Sequence, residues 1–245
     1  MTLPINIDLT SDDPLLASLQ TQLHHDSASS LKLKRDQHGV LTVAISDLPK
    51  HKPLSIDFTD KKFYMRTQTG KNNDILFKAI KLNKHQNITV LDGTTGLGRD
   101  AFMLASYGFK ISLLERNRLL HLMLTDAIAN LSVDPKLSAV ADNITLFPVR
   151  HNMQDEIRLH KKYDVVYLDP MFPVTKNLSL AKKEAQFLQH IVGCDSDQDA
   201  LLKPAMQLAD KKVVVKRASS SCFLAGDRPS YSVKGNSVRF DIYLV

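Results

Sequence analysis

The spacing of apolar positions divides the chain into a polar N-terminal stretch, a short alternating region and a longer region of mixed periodicity. Residues 1–30 are polar apart from the segment 14–23, which follows the capping signal Ser-Asp-Asp and predicts a short helix. Apolar and polar positions then alternate, which predicts short antiparallel strands separated by turns. These strands are predicted at 31–35, 40–45 and 54–58. We interpret residues 1–60 as an N-terminal extension with a small β-rich subdomain.

Residues 61–245 are predicted to form a larger domain in which strands and helices alternate. A helix is predicted over 74–82, and from residue 88 apolar runs alternate with helical periodicity. Strands are predicted at 88–92, 110–115, 144–148, 164–168 and 212–217, and helices at 98–107, 117–131, 180–192 and 198–209. The chain ends in a predicted hairpin that turns at Gly235-Asn236. This order predicts an α/β fold with a mostly parallel sheet, helices on both faces and a C-terminal antiparallel hairpin.

A glycine-rich turn joins the first predicted strand of the larger domain to its helix. Residues 90–100 read Val-Leu-Asp-Gly-Thr-Thr-Gly-Leu-Gly-Arg-Asp. Glycine lets a ligand approach the backbone closely, and the N–H groups at a helix N-terminus bind polar ligand groups. We therefore predict a nucleotide-type cofactor site at this turn. Its candidate residues are Asp92, Gly93, Gly96, Gly98, Arg99 and Asp100.

Two acidic residues indicate which cofactor this turn binds. Glu115 follows the second strand at the spacing at which a carboxylate binds ribose hydroxyls, although it could also cap the next helix. Asp92 directly precedes the glycines, whose order G-x-x-G-x-G differs from the G-x-G-x-x-G of dinucleotide sites. A carboxylate here suits a cationic, amino-bearing ligand better than a pyrophosphate. The pattern favours S-adenosylmethionine, which carries a sulfonium and an α-amino group, over a nicotinamide dinucleotide.

The fourth strand of the larger domain ends in a second candidate motif, Asp169-Pro170-Met171-Phe172. This motif resembles the (Asp/Asn)-Pro-Pro-(Tyr/Phe) sequence of methyltransferases that modify exocyclic amino groups of nucleobases. Such an amino group is a poor nucleophile because its lone pair is delocalised into the ring. Asp169 and the carbonyl of Pro170 can accept its two N–H bonds, while the ring of Phe172 can stack on the base. Asp-Pro alone is an ordinary turn, but its combination with the glycine-rich turn and Glu115 favours catalysis.

Composition narrows the setting of this chemistry. The chain has 245 residues, of which 43% are hydrophobic, yet no apolar run reaches the roughly 18 residues of a membrane span. The N-terminus has no secretion-signal pattern, and the two cysteines indicate no disulfide framework. We therefore expect a cytoplasmic protein without a membrane partner. The nine histidines show no metal-ligand spacing, so we also predict no metal site.

The net charge of +6 is unevenly distributed along the chain. Residues 1–30 carry four Asp and no Lys or Arg, whereas residues 31–86 carry 12 basic and 5 acidic residues. A basic segment before a cofactor-type domain suggests a nucleic-acid partner, although a solvated lysine-rich surface explains the charge equally well. Candidate RNA-binding residues are Lys61, Lys62, Tyr64, Arg66, Lys71, Lys182, Lys183, Lys216 and Arg217. Of these, the two lysines of the predicted helix over 180–192 could instead lie on an exposed helix face.

Together, the motifs LDGTTGLGRDAF, LLERN, VVYLDPMFP, KKE, VVVKR and RFDIY resemble the RsmJ family of bacterial 16S rRNA guanine-N2 methyltransferases. The resemblance extends from about residue 31 to residue 243. It implies a class I, Rossmann-like fold with a seven-stranded sheet. It further implies S-adenosylmethionine as methyl donor, S-adenosylhomocysteine as product, and N2-methylation of one guanine in 16S rRNA, free or in the 30S ribosomal subunit.

The same resemblance implies a set of cofactor contacts. These fall at Arg99, Asp100, Glu115, Arg116, Asp169 and, after the third strand, at Arg150 with His151 or at His151 with Asn152. The family has small hydroxyl residues after its third strand, and this sequence departs from that pattern.

Two alternatives to this function remain open. One is an amino-methyltransferase that acts on adenine or cytosine in DNA or another RNA. The other is a non-catalytic rRNA-binding assembly factor with a vestigial cofactor pocket. Asp169, in place of the Asn common in several base-modifying groups, argues against the first, and the intact glycine-rich turn with Glu115 argues against the second. The sequence carries no signal for oligomeric state.

Overall fold

The computed structural model describes residues 31–45, 52–61, 63–65, 74–82, 87–170 and 197–245. The contacts of these residues form two compact units, one with the described residues up to 57 and the other with those from 58 onward. The domain boundary at residue 60 stays a prediction. The helices predicted over 14–23 and 180–192 lie outside the described residues.

The first unit contains a three-stranded antiparallel sheet whose middle strand pairs with both neighbours. Its strands are β1 (Leu31–Arg35), β2 (Leu41–Ile45) and β3 (Leu54–Ser55). Leu33, Val43 and Leu54 are buried, which agrees with the alternating pattern. The third strand is shorter than the predicted 54–58, because only Leu54 and Ser55 pair with β2.

The second unit is built on a seven-stranded sheet. Its strands are β4 (Thr89–Asp92), β5 (Lys110–Leu113), β6 (Ile144–Leu146), β7 (Tyr163–Leu168), β8 (Ala209–Ala218), β9 (Tyr231–Lys234) and β10 (Val238–Leu244). Their order is β6-β5-β4-β7-β8-β10-β9, with β10 antiparallel to β8 and β9 and the other pairs parallel. The predicted sheet and its terminal hairpin are therefore confirmed. The order reverses between β4 and β7, which is where open α/β sheets bind ligands.

The described part of the second unit contains six complete α-helices, and residues 61 and 63–65 are helical as well. The complete helices are α1 (Ile75–Ile80), α2 (Arg99–Ser106), α3 (Arg118–Val133), α4 (Ser138–Ala141), α5 (Met153–Arg158) and α6 (Leu202–Leu208). The sequence pattern did not predict α4 and α5, because helices of four and six residues are too short to show periodicity. A local signal for α5 was present, since Asn152 and Asp155 form a capping box at its start. None of the described helices combines the length and the apolar composition that crossing a bilayer requires.

The core of the second unit lies on both faces of the sheet. Successive residues of a strand point to opposite faces, so Val90 joins one apolar cluster and Leu91 the other. Val214 likewise lies in the first cluster, whereas Val213 and Val215 lie in the second. Helix α2 packs into the first cluster and α6 into the second. This double-sided burial explains why the central strands are continuous apolar runs.

Candidate functional site

The glycine-rich turn leaves β4 and enters α2 with a backbone that requires glycine at two positions. Gly96 and Gly98 have φ of +58° and +68°, in the left-handed region. At Gly98 a Cβ atom would lie 2.7 Å from Cδ2 of Leu124, so packing excludes a side chain there as well. The N–H of Gly93 donates to the carbonyl of Tyr167 at 3.0 Å. The turn is thereby fixed against the end of β7.

Glu115, two residues beyond β5, binds the same turn. Its two carboxylate oxygens accept the N–H groups of Gly96 and Asn117, each at 2.7 Å. The side-chain cap of α3 is Asn117, which accepts the N–H groups of Leu119 and Leu120. Glu115 therefore orders both the turn and the residue that caps the helix. A carboxylate oxygen can accept more than one hydrogen bond, so the ribose contact is compatible with this geometry and stays a prediction.

Asp92, at the end of β4, lies at the centre of an acidic cluster. It is 2% exposed, and its carboxylate accepts the N–H of Thr94 at 3.0 Å. The hydroxyl of Thr94 accepts the N–H of Asp169, which joins the ends of β4 and β7. Burial raises the pKa of Asp92 well above its ordinary value; the Thr94 bond opposes this rise, and the charges of Asp100, Asp169 and Glu115 add to it.

Asp169 is joined to the start of α2 by a lysine. The parallel register aligns Leu168 of β7 with Val215 of β8, so Asp169 and Lys216 follow at neighbouring positions. The Lys216 Nζ atom lies 3.0 Å from Oδ2 of Asp169 and 2.8 Å from Oδ2 of Asp100. One ammonium group therefore bridges the carboxylates that follow β4 and β7.

Tyr167 completes this chain of hydrogen bonds. Its hydroxyl donates to Oδ2 of Asp100 at 2.6 Å, while its ring is buried in the core below. Burial raises the pKa of Tyr167 well above its ordinary value, and the neighbouring charges of Asp100 and Asp169 contribute to the rise. Tyr167 is therefore a neutral donor at physiological pH, and Asp100 accepts hydrogen bonds from both Tyr167 and Lys216.

The charges of this site are unbalanced toward the negative. Burial acts to lower the pKa of Lys216, but the carboxylates of Asp169 and Asp100 outweigh it and raise the pKa above the ordinary value. Burial raises the pKa of Asp169; Lys216 opposes this rise, and Asp100 adds to it. The Lys216 ammonium thus contacts two carboxylates, those of Asp169 and Asp100, and Asp92 lies within reach of the charges of Asp100, Asp169 and Glu115. Such an arrangement attracts a cationic ligand.

The loop after β6 contains the third group of predicted cofactor residues. His151 Nε2 lies 2.7 Å from Oε1 of Glu156, and the other oxygen of Glu156 accepts the hydroxyl of Tyr163. Asn152 caps α5 through its side chain. Arg150 is exposed on the preceding turn. His151 and Asn152 therefore have clear roles in shaping this loop, and their cofactor contacts stay predictions.

Comparison with known proteins identifies the family to which this site belongs. The family described as "Putative SAM-dependent methyltransferase" matches residues 16–245. The ribosomal RNA small subunit methyltransferase J of Pasteurella multocida is 38% identical, over 98% of this chain and 99% of that protein. The protein of the same name from Mannheimia succiniciproducens is 38% identical, over 91% of this chain and 90% of that protein. The chain belongs to the methyltransferase J family.

A solved structure extends the comparison to three dimensions. The crystal structure of a SAM-dependent methyltransferase from Neisseria gonorrhoeae is 29% identical and superposes with a TM-score of 0.72, covering 99% of this chain and 96% of that one. With the strand order of the large sheet, this confirms the predicted class I fold for this member of the methyltransferase J family. The family assignment also confirms that the protein is an enzyme and that its cofactor is S-adenosylmethionine.

Two further predicted cofactor residues of this methyltransferase J family member lie on the surface. Arg99 is exposed in the first turn of α2. Arg116 pairs with Asp197 at 2.8 Å, with side chains 59% and 55% exposed. An ion pair this exposed contributes little to stability, so Arg116 can exchange Asp197 for a ligand at low cost. Cofactor binding by Arg99 and Arg116 stays a prediction.

Several predicted site residues fall outside the described part of the chain. Pro170 is described and buried. The residues outside are Lys62, Arg66, Lys71, Met171, Phe172, Lys182 and Lys183. Among the described RNA candidates, Lys61 is exposed and Tyr64 is half-buried. Arg217 is 5% exposed and donates from Nε to the carbonyl of Cys222 at 2.9 Å.

The sequence patterns did not identify Thr94 and Tyr167 as residues of the site. The sequence did contain a signal for each residue. Thr94 is a hydroxyl residue within the glycine-rich turn, and Tyr167 carries a hydroxyl group within the otherwise apolar C-terminal half of β7. Their partners are distant in the sequence, which is why spacing alone does not reveal them. Among the residues that the structure describes, no group of three potential ligands could hold a metal ion. The lack of a metal stays a prediction.

Proposed function

We propose that this protein transfers a methyl group from S-adenosylmethionine to the exocyclic N2 amino group of one guanine in 16S rRNA of the small ribosomal subunit. The observation that carries the proposal is the position of Asp169 at the end of β7, next to the glycine-rich turn that follows β4. Membership of the methyltransferase J family supports ribosomal RNA as the substrate. The cytoplasm stays the predicted location of the protein.

Asp169 has the chemistry that an exocyclic amino group requires. A carboxylate accepts an N–H bond from the amino group, and the carbonyl of Pro170 can accept the other. These two acceptors would turn the nitrogen lone pair out of conjugation and toward the methyl donor. Asp169 can also accept the proton that the nitrogen loses after it is methylated. Phe172, which lies outside the described residues, is proposed to stack on the guanine ring.

The residues around the turn fit the cofactor. When bound, S-adenosylmethionine supplies an electrophilic methyl group on a positively charged sulfur. Asp92 and Asp100 provide carboxyl oxygens that can accept hydrogen bonds from the α-amino group of this cofactor. Glu115, held by Gly96 and Asn117, is positioned at the edge of the turn for a ribose contact. The positive φ of Gly96 favours glycine, and because glycine has no side chain, a ligand can approach the backbone of the turn.

Methylation of isolated ribosomal subunits tests this proposal. Small subunits from a deletion strain would be incubated with the protein and S-adenosylmethionine labelled in its methyl group, followed by nuclease digestion and mass spectrometry. We expect label only in N2-methylguanosine, at one position of 16S rRNA. Label in adenosine or cytidine would support the alternative base, and binding of RNA without transfer would support the assembly factor. Naked 16S rRNA tested in parallel shows whether the assembled subunit is needed.

A further inference from the structure

Lys216 is positioned to act on Asp169, although its place at the end of a strand predicted a contact with RNA. We infer that Lys216 is a positioning residue for methyl transfer: it holds the Asp169 carboxylate ionised and by one oxygen, so that the second oxygen can accept the N–H of the substrate amino group. This inference rests on the proposed function, since it assigns Asp169 to the substrate. It concerns a residue that does not itself touch the reacting atoms.

The geometry fixes one oxygen of Asp169. Lys216 Nζ binds Oδ2 at 3.0 Å, while the backbone N–H of Asp169 donates to the hydroxyl of Thr94. Among the described residues, no donor binds Oδ1 of Asp169. The Asp169 side chain is 36% exposed and that of Lys216 is 26% exposed. The carboxylate is therefore held from one side and open to a partner on the other.

The positive charge of Lys216 also favours the ionised form of the two carboxylates that it contacts. Asp169 and Asp100 both bind the same ammonium through Oδ2, so the two carboxylates lie close together. Two carboxylates that share a site do not both ionise readily, unless a cation lies between them. Among the residues that the structure describes, the other titratable groups recorded beside this pair are Asp92 and Tyr167, and neither is a cation. Loss of Lys216 would therefore favour protonation of one carboxylate.

A protonated Asp169 is a poor partner for the substrate. It is a weaker hydrogen-bond acceptor than a carboxylate, and its free hydroxyl proton can turn toward the amino nitrogen. Lys216 thus preserves the acceptor character of Asp169 at neutral pH. A contact between Lys216 and an RNA phosphate would instead require the ammonium to leave two carboxylates, and it predicts a different kinetic result.

The first test measures Asp169 directly in the free protein. Carboxyl carbons labelled with ¹³C would be titrated by NMR in the wild type and in Lys216→Met, with Asp169→Asn used to assign the signal. We expect the pKa of Asp169 to rise by about one to three pH units in Lys216→Met. Lys216→Arg keeps a cation and should retain a pKa near that of the wild type. An unchanged pKa in Lys216→Met would overturn the inference.

Two further variants make this titration decisive. Lys211→Met applies the same substitution to the same strand at a side chain that is 50% exposed and paired with Asp210, so it should leave the pKa of Asp169 unchanged. If Lys216→Met does not fold, Lys216→Gln removes the charge while keeping a hydrogen-bond donor, and it should raise the pKa in the same direction. Because this readout needs no RNA, it remains valid even if the substrate is not 16S rRNA.

The second test separates a positioning role from an RNA contact. In the methylation assay, Lys216→Met should lower kcat by roughly tenfold or more at low pH, with a loss that shrinks as pH rises and Asp169 ionises. KM for the ribosomal subunit should change little, and Lys216→Arg should restore most of kcat. A raised KM with unchanged kcat and a weaker salt dependence would show a phosphate contact instead. A kcat loss that is equal at every pH and is not restored by arginine would indicate a merely structural role, and it also overturns the inference.

The two tests distinguish the inference from the proposed function. If the wild type methylates no guanine of 16S rRNA, the proposed function fails, while the NMR titration still decides whether Lys216 controls Asp169. If the wild type is active and Lys216→Met has both an unchanged kcat and an unchanged pKa of Asp169, only the inference fails.

Discussion

The carboxylate of Glu115 accepts the N–H of Gly96 at 2.7 Å, so the end of β5 fixes the turn that follows β4. The contact links residues 19 apart in sequence, and it is almost completely shielded from water because Glu115 is 6% exposed. A hydrogen bond to a buried charge is stronger than one between neutral groups. Glu115 therefore has a structural role in the turn in addition to its proposed role as a ribose ligand.

Replacing Glu115 should weaken cofactor binding more than RNA binding. Glu115→Ala removes the acceptor of Gly96 and Asn117, and we expect the Kd for S-adenosylmethionine to rise roughly 10- to 100-fold. Titration calorimetry measures this change, and filter binding measures the affinity for 16S rRNA. Asp142→Ala, at an exposed acidic residue, serves as a control that should leave both affinities unchanged. Equal losses of the two affinities would contradict the ribose assignment.

Asp169→Ala should abolish methyl transfer while leaving the fold intact. The carboxylate is partly exposed, and its removal leaves Lys216 paired with Asp100, so no buried charge is stranded. Transfer to small ribosomal subunits should fall by about 100-fold or more, because the amino group loses its acceptor. Circular dichroism and cofactor binding should remain close to those of the wild type. Near-full activity of the variant would show that Asp169-Pro170 is only a turn.

The contact between Lys216 and Asp169 could not be predicted from the sequence pattern. The place of Lys216 near the end of the predicted strand 212–217, at the rim that follows the other strands, predicted an RNA contact, and that contact stays a prediction. The register that aligns Leu168 with Val215 brings Lys216 beside Asp169, a residue 47 positions away, and this contact was not predicted. Strand order and register depend on long-range pairing, which local periodicity does not encode. The same reason explains why Thr94 and Tyr167 were not predicted as parts of the site.

Local sequence signals correctly predicted the features that depend on neighbouring residues, namely turns, strands and helices. The hairpin turned at Gly235-Asn236 and the central strands follow from turn chemistry and continuous apolar runs, and both are confirmed. The predicted helix over 198–209 is a 3-10 turn at Gln198–Leu201 followed by α6 (Leu202–Leu208). Pro204 lies in the first turn of α6, where a missing N–H is tolerated. Among the predicted elements that the structure describes, boundaries shifted by a few residues and the element types were retained.

Alanine substitutions at Gly96 and Gly98 should separate the energetic cost of backbone strain from the cost of a packing clash. Gly96→Ala places a Cβ in open surroundings, since its nearest atom is the carbonyl oxygen of Thr94 at 3.9 Å, and only the positive φ opposes it. Gly98→Ala adds a 2.7 Å approach to Leu124. We expect losses in the free energy of unfolding of about 1 kcal/mol for Gly96→Ala and about 2–4 kcal/mol for Gly98→Ala.

Urea denaturation measures both losses, with Gly108→Ala as the matched control. Gly108 has φ of +94°, and a Cβ at this position would have no atom within 4 Å, so its substitution reports strain without packing. If Gly98→Ala costs no more than Gly108→Ala, the contact with Leu124 does not explain why glycine is needed at this position. Cofactor binding by Gly96→Ala adds a second readout, because a side chain there would project from the turn.

Lys212 makes the stability of the protein depend on pH in the alkaline range. Its side chain is buried, with the residue 4% exposed, and its Nζ atom donates to the carbonyl of Lys81 at 3.0 Å. Burial lowers the pKa of Lys212 from 10.5 to about 8. Between these values the unfolded chain binds more protons than the folded one, so stability should rise as pH increases from about 8 to 10.5. Below pH 8 the full cost of burying the charge remains, on the order of 3 kcal/mol.

Lys212→Met should therefore be more stable than the wild type at pH 7, with an advantage that shrinks toward pH 10. The lost hydrogen bond to Lys81 offsets about 1 kcal/mol of the difference. Tyr107 and Tyr243, whose pKa values burial raises to about 12, lower stability above pH 10 in both proteins and cancel in the comparison. Urea denaturation at pH 7, 8, 9 and 10 measures the trend, and Lys211→Met should show none. A constant difference between Lys212→Met and the wild type across this range would mean that Lys212 is not buried as an ammonium at pH 7.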